Sequence, residues 1–386
     1  MEKRLVRVAN AILDLERSDA IETAALPDDL LKLDSTESTV GLSSMTREAM
    51  KRFIDSPELE KRRDYDVKLA EKIACYLSLP ADNIRCFGGS GQAFDNVART
   101  YLEAGTEIVV NSPASEGITN TASSTGARVI DVWHDNPFET YIEALINSIG
   151  PKTRLVYIAN PNEYSGACFT EAEIVFLLAY AERIMVVVDE KAFEFCGHSV
   201  ADLITRFPNL VVIRSFSGAF GIGCAPLEYI ITDSDNLSFI DRIGSDINKG
   251  LLSQVAALAA LDDQSSMREY VDAVEESRKM LWQSLPESGY EFHLASANYF
   301  LLKVSDSGRA AKLLLADGIL IKRLGAKEKL DGYLRITLGT PAQTDRLLLS
   351  LSKHASRLAT GFNRNRIPET VDRVAVRVKE VASKGK

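Results

Sequence analysis

The sequence predicts an α/β fold, with a mostly parallel, doubly wound sheet in a large domain and a smaller α+β domain after it. Three observations carry this reading. Short, β-branched apolar runs recur between residues 107 and 232, with helical patterns between several of them. Runs of that kind are buried parallel strands joined by crossover helices. A long helical stretch over 250–284 then separates them from a C-terminal third of different character. Finally, 386 residues of which 46% are hydrophobic and 26% charged are ample for a large core in two packed lobes.

The elements follow in order. Residues 3–17 place apolar and charged positions at helical spacing, and a polar segment follows, with Leu33-Asp34-Ser35-Thr36-Glu37 near its end. Residues 44–54 and 66–78 read as amphipathic helices. Cys86-Phe87-Gly88-Gly89-Ser90-Gly91 is a glycine-rich turn, and 92–102 is the helix it opens. Strands are expected over 107–111, 127–132, 154–158, 185–189, 210–215 and 228–232, with helices over 137–149 and 171–182. The stretch 250–284 is helical with a weak break near 262–265. Residues 299–304, 319–323 and 333–338 are the strands of the smaller lobe, and 360–386 add a basic helical tail after Pro368. The implied division is an N-terminal segment 1–43 packing with the small domain, a large domain 44–265 and a small domain 266–386.

A net charge of −9 argues against nucleic acid or an anionic membrane as partner. No apolar run reaches spanning length and no signal-peptide pattern opens the chain, so a cytoplasmic protein is expected. The five cysteines form no CxxC pair and read as reduced thiols, although Cys196 and Cys224 fall near the expected site and leave a nucleophile or redox role open. No metal is expected, because the four histidines join no cluster with ligand spacing. Neither a dinucleotide nor a P-loop signature is present in the glycine-rich turn.

Ligands of open α/β sheets gather at the carboxyl ends of strands. Three such ends carry chemistry: the loop after Ile158, Asp189 in Val186-Val187-Val188-Asp189-Glu190, and Arg214-Ser215-Phe216-Ser217-Gly218-Ala219-Phe220-Gly221. Asp189 reads either as a ligand carboxylate or as a cap of the strand–loop junction. In Tyr333-Leu334-Arg335-Ile336-Thr337-Leu338-Gly339-Thr340, Arg335 offers a planar fork that matches a carboxylate bidentately, or a structural ion pair.

These segments, in this order, resemble the fold-type I, pyridoxal-phosphate (PLP) dependent aminotransferases, and within them the histidinol-phosphate aminotransferase group, over about residues 30–355. The resemblance implies that Asp189 pairs with the pyridine nitrogen of PLP. It implies that Arg335, with Asn298 of the same lobe, grips a substrate carboxylate. The turn Gly89, Ser90, Gly91 and Gln92, together with Ser217, would face the phosphate.

The family pattern is broken at several places. Gly218 stands where the family has the lysine that holds the cofactor covalently, and glycine has no side chain for that task. Glu163 replaces an asparagine that donates to the phenolic oxygen, and a carboxylate there repels that oxygen. Ala192 stands for a tyrosine, Pro226 for the phosphate-binding arginine, and Ser115 for the stacking aromatic. Lys191 occupies a position where the family has a small residue beneath the ring. It is expected to pair with Asp189, Glu190 or Glu163, to act as base or nucleophile, or to serve as a relocated cofactor lysine.

Three functional readings follow. The first is a lysine-less, PLP-independent enzyme with no cofactor, acting on an amino acid or 2-oxo acid by elimination, cyclisation or condensation in biosynthesis. Lys191, Asp189 and Glu163 would do the chemistry, with Glu228 as a further acid–base group, and Arg335, Asn298 and Ser115 would bind. The second is an aminotransferase-like enzyme that holds PLP or pyridoxamine phosphate (PMP) noncovalently or through Lys191. The third is a non-catalytic partner of an active paralogue. The resemblance also implies a homodimer with the site at its interface.

Overall fold

The computed structural model describes residues 29–61, 65–89, 91–243, 250–325 and 329–360. The helix expected over 3–17, the basic tail beyond 360 and Ser90 lie outside the described residues.

The first sheet contains β2 (Ile84–Gly88), β3 (Glu107–Asn111), β4 (Arg128–Val132), β5 (Thr153–Ala159), β6 (Met185–Asp189), β7 (Leu210–Ser215) and β8 (Leu227–Thr232), in the order β2-β8-β7-β6-β5-β3-β4. The run from β4 to β7 is parallel. Every residue of β6, β7 and β8 is buried, which is why they carry the apolar runs 185–188, 210–213 and 229–231 rather than an alternating pattern. The expected α/β class and all six expected strands of this sheet are therefore present. β8 is antiparallel to both β7 and β2, so its first residues lie beside the last residues of β7.

Helices cover both faces. α1 (Ser44–Ile54) and α2 (Asp66–Leu77) precede β2, and α3 (Gln92–Tyr101) follows it. Leu69 and Ile73 of α2 join one core, while Phe94 and Val97 of α3 join the core on the opposite face. The crossovers include α4 (Glu116–Ser124), α5 (Ile142–Asn147) and α6 (Glu171–Tyr180). α6 starts with a capping box between Thr170 and Glu173. α5 is shorter than the expected 137–149. The Asn136 side chain accepts from the Phe138 backbone N–H at 3.1 Å, and that local turn holds the chain out of the helix.

The second sheet has the order β1-β11-β12-β10-β9, with β1 (Leu31–Leu33), β9 (Glu291–Leu294), β10 (Tyr299–Lys303), β11 (Ile319–Arg323) and β12 (Tyr333–Thr337). β1 joins β11 in parallel, which carries the following segment, Asp34 to Glu37, across to the first sheet. The break expected near 262–265 falls at Asp263, between the helices Leu251–Asp262 and Gln264–Ser284.

One buried ion pair fixes the sheet next to the site. Arg214 and Glu190, 2% and 0% exposed, meet at 2.9 Å, and Glu190 also accepts from the Val200 N–H and the Ser199 hydroxyl. Removing the cation strands a buried carboxylate, which costs about 3–5 kcal/mol. Arg214→Met is expected to lower the unfolding free energy by that margin, read as a fall in the denaturant midpoint at unchanged m; a midpoint within error of the native protein would contradict the assignment.

Candidate active site

A cavity of about 770 Å³ opens at the carboxyl ends of β5, β6 and β7, and Asp189, Lys191, Glu163, Ser217, Gly218 and Glu228 all line it. The site therefore forms at the strand ends that the sequence singled out, and topology supplies one more wall. Because β8 runs antiparallel, Glu228 pairs with Ser215 on one side and with Phe87 on the other, and so reaches the same rim.

Asp189 sits on the floor, 7% exposed. The Tyr157 hydroxyl donates to its Oδ2 at 2.8 Å, the Lys191 backbone N–H donates to Oδ1 at 3.2 Å, and Lys191 Nζ lies 3.3 Å from Oδ2. Three partners fix the Asp189 carboxyl at the cavity. Tyr157 is the residue that the sequence reading missed. Its β5 position pairs with Val187, two residues before Asp189, so both side chains share one face of the sheet.

Lys191 Nζ also lies 3.0 Å from Glu228 Oε1. Burial works against the Lys191 charge, but the Asp189 and Glu228 carboxylates outweigh it and hold the ammonium above the usual lysine range. Of the partners foreseen for Lys191, Asp189 is found. Glu190 faces Arg214 instead, because successive strand residues point to opposite sides.

Glu228 is 1% exposed and accepts from the backbone N–H groups of Gly91, at 2.9 Å to each oxygen, and Ala93, at 3.2 Å. These amides belong to the start of α3, where the chain turns through Gly89 and Gly91 at φ +89° and +86°. Glycine takes that conformation without strain. Gln92 and both glycines line the cavity.

Glu163, expected to repel a cofactor oxygen as a carboxylate, lines the cavity. Burial pushes its carboxyl above the ordinary range against the opposing pull of Arg335, and the Ser115 side chain hydrogen-bonds to it. The shift favours the neutral form, which donates. Ser115 lines the cavity at the start of α4.

Arg335, 8% exposed, is not on the cavity wall. Its Nη1 donates to the Glu163 carbonyl at 2.9 Å and its Nη2 to the Asp34 carbonyl at 3.3 Å, while Nε has no hydrogen-bond partner. Asn298 does line the cavity, and its amide donates to the Thr36 carbonyl at 2.9 Å. The open nucleophile role for cysteine finds no support: burial pushes the Cys196 thiol well up, Cys224 is exposed, and neither lines the cavity.

A Cβ built on Gly218 meets nothing closer than 3.6 Å, and the backbone there needs no positive φ. The position accepts a Cβ. Among the described residues no cluster of histidine, cysteine or carboxylate can hold a metal ion, and no helix is long and apolar enough to cross a membrane.

Residues 28–351 match the family model described as aminotransferase class I and II. The chain is 30% identical over 330 residues to histidinol-phosphate aminotransferase 2 of Carboxydothermus hydrogenoformans, covering 83% of this chain and 90% of the relative. It is 28% identical over 334 residues to histidinol-phosphate aminotransferase 2 of Hydrogenovibrio crunogenus, covering 83% and 87%. The solved histidinol-phosphate aminotransferase of Sinorhizobium meliloti, in complex with pyridoxal-5'-phosphate, superimposes with a TM-score of 0.76 at 22% identity, covering 84% of this chain and 90% of that one.

These matches correct the cofactor-free reading. A lysine-less, PLP-independent enzyme outside transamination conflicts with relatives named as aminotransferases over more than four-fifths of the chain. The expectation of no cofactor falls with it. The physical reason is that the broken pattern still leaves working groups at the cavity: Asp189 keeps its place at the strand end, and Lys191 brings a lysine beside it.

The two carboxylates flanking Lys191 make it a stability element as well. Lys191→Met leaves Asp189 and Glu228 without their shared cation. With the lysine side chain 35% exposed, solvent reduces the effect to about 1–3 kcal/mol. Thermal unfolding of this variant is expected to show that loss, and Lys191→Arg, which keeps a cation between the two carboxylates, to show less of it. A loss as large in Lys191→Arg as in Lys191→Met would contradict the pairing.

Proposed function

The chain belongs to the aminotransferase class I and II family, and on that premise we propose that it is an aminotransferase-like enzyme using PLP or PMP on a small amino acid or 2-oxo acid. The observation that carries the reading is Asp189, a buried carboxyl at the end of β6 that lines a 770 Å³ cavity and is fixed there by Tyr157 and Lys191. When bound, the cofactor supplies an electron sink, and a carboxylate against its ring nitrogen keeps that nitrogen protonated.

The ring-nitrogen end of the cavity fits the cofactor. The phosphate end does not, because Glu228 already takes the amides of α3 and no arginine stands at Pro226. Between the two modes open to such a cofactor, the ion pairs of Lys191 favour noncovalent binding. A lysine held as ammonium by two carboxylates is a poor nucleophile. Gly218 offers no amine of its own. Glu163 in its neutral form is assigned as donor to the phenolic oxygen. Arg335 is assigned to the substrate carboxylate, whose oxygens would replace the carbonyls of Glu163 and Asp34 on its fork. The active unit is assigned as a homodimer; exposed Met45 and Ile54 on α1 and Val67 on α2 offer apolar surface for it.

Incubating the protein with PMP and a panel of 2-oxo acids is expected to yield amino acid and PLP in equal amounts. Absence of both, with no PMP bound at millimolar concentration, would sink the reading. The Glu163 assignment has its own signature. Its carboxyl donates below its raised pKa and repels above it, so PMP affinity falls as pH rises through that pKa. Glu163→Gln keeps a donor at every pH and is expected to flatten the profile, whereas an unchanged pH step in that variant would remove Glu163 from the role.

A further inference from the structure

We propose that Glu228 is the chain's own resident anion at the start of α3, standing where a ligand phosphate would sit, and that Lys191 latches it there. The proposal rests on the reading of this cavity as a phosphorylated-cofactor site, and it explains why the phosphate end does not fit.

The start of a helix presents free backbone N–H groups and a partial positive charge, and anions settle there. In α3 that place is taken. Both oxygens of Glu228 accept from Gly91, one of them also accepts from Ala93, and the residue is 1% exposed. An N–H group aimed at one acceptor is not free for another. A phosphate can use these amides only if the carboxylate leaves.

The arrangement is built into the fold at three levels. The β8 ladder fixes Glu228 from both sides, opposite Phe87 and opposite Ser215. The turn through Gly89 and Gly91 brings the amides to it, and the Gly89 N–H is anchored on the Pro226 carbonyl at 3.0 Å. Lys191 then closes the unit at 3.0 Å from Glu228 and 3.3 Å from Asp189. A buried carboxylate is tolerated only when it is paired and hydrogen-bonded, and Glu228 is both.

Electrostatics decides what such an occupant does. The polar wall around Lys191 already carries two carboxylates against one ammonium. A phosphate monoester brings about −1.5 to −2 more charge near neutral pH. With Glu228 in place the newcomer meets a like charge and no free amide. With Glu228 displaced it meets two amides and a Lys191 that has lost one of its two carboxylate partners. The native chain therefore binds phosphate weakly, and cofactor occupancy is set by displacement of Glu228.

The test is equilibrium binding of inorganic phosphate and of PMP, measured by calorimetry on native protein, E228A and E228Q, with thermal unfolding as the check on folding. E228A vacates the amides and is expected to bind both probes at least about tenfold more tightly than native protein. E228Q removes the repulsion but keeps an oxygen for the Gly91 N–H, so its gain is smaller; it preserves shape and is the variant read if E228A does not fold. Equal or weaker phosphate binding in the folded variant overturns the resident-anion proposal, whatever PMP does. Tighter phosphate binding with no PMP binding at all keeps the resident anion and sinks the cofactor reading.

Discussion

A short chain of charge holds this site together: Asp189, Lys191, Glu228 and the backbone amides at the start of α3. Each link answers a cost set by its neighbour. Asp189 and Glu228 are buried anions that need a cation. Lys191 is a cation in a confined cavity that needs anions. The free amides of α3 need an acceptor, and Glu228 is one. The chain joins the end of β6, the beginning of β8 and the first turn of a helix, so the cavity floor and one wall form a single electrostatic unit. Changing any member alters what the others can bind.

The same logic separates this unit from its neighbour one residue away. Asp189 and Glu190 are adjacent in sequence but point to opposite sides. Asp189 faces the cavity, and Glu190 faces the buried guanidinium of Arg214. Two adjacent carboxylates are thus stabilised by two different cations, without competing for one. Arg214 keeps the sheet ends rigid while Lys191 serves the cavity. Gly218 lies in the loop after Arg214, at the cavity wall, with room for the Cβ it does not have.

Much of this was legible in the sequence, for identifiable reasons. β6 and β7 announce themselves because strands buried on both faces are mostly apolar in their middles, and Asp189 and Ser215 mark their polar ends. The break at Asp263 was visible as a polar interruption of a helical pattern. Other features were hidden because they depend on pairing. The three-residue β1 is too short to show a period, and only its partner β11 makes it a strand. The direction of β8 is absent from local pattern, yet it alone brings Glu228 to the rim. Tyr157 looks like one more core aromatic until the register sets it on Asp189. The environment of Glu163 was hidden too, because the burial that raises its carboxyl is not supplied by a linear reading.

The central claim is that this cavity receives a pyridoxal-type cofactor without a covalent bond to the chain. The most direct measurement is the intact mass of native protein and of Gly218→Lys after incubation with PLP and borohydride reduction, followed by peptide mapping. The account predicts no reduced adduct on native protein, Lys191 included, and one adduct on the variant at position 218. An adduct mapped to Lys191 in native protein would contradict noncovalent binding. No adduct on a folded Gly218→Lys variant would contradict the placement of the cofactor in this cavity.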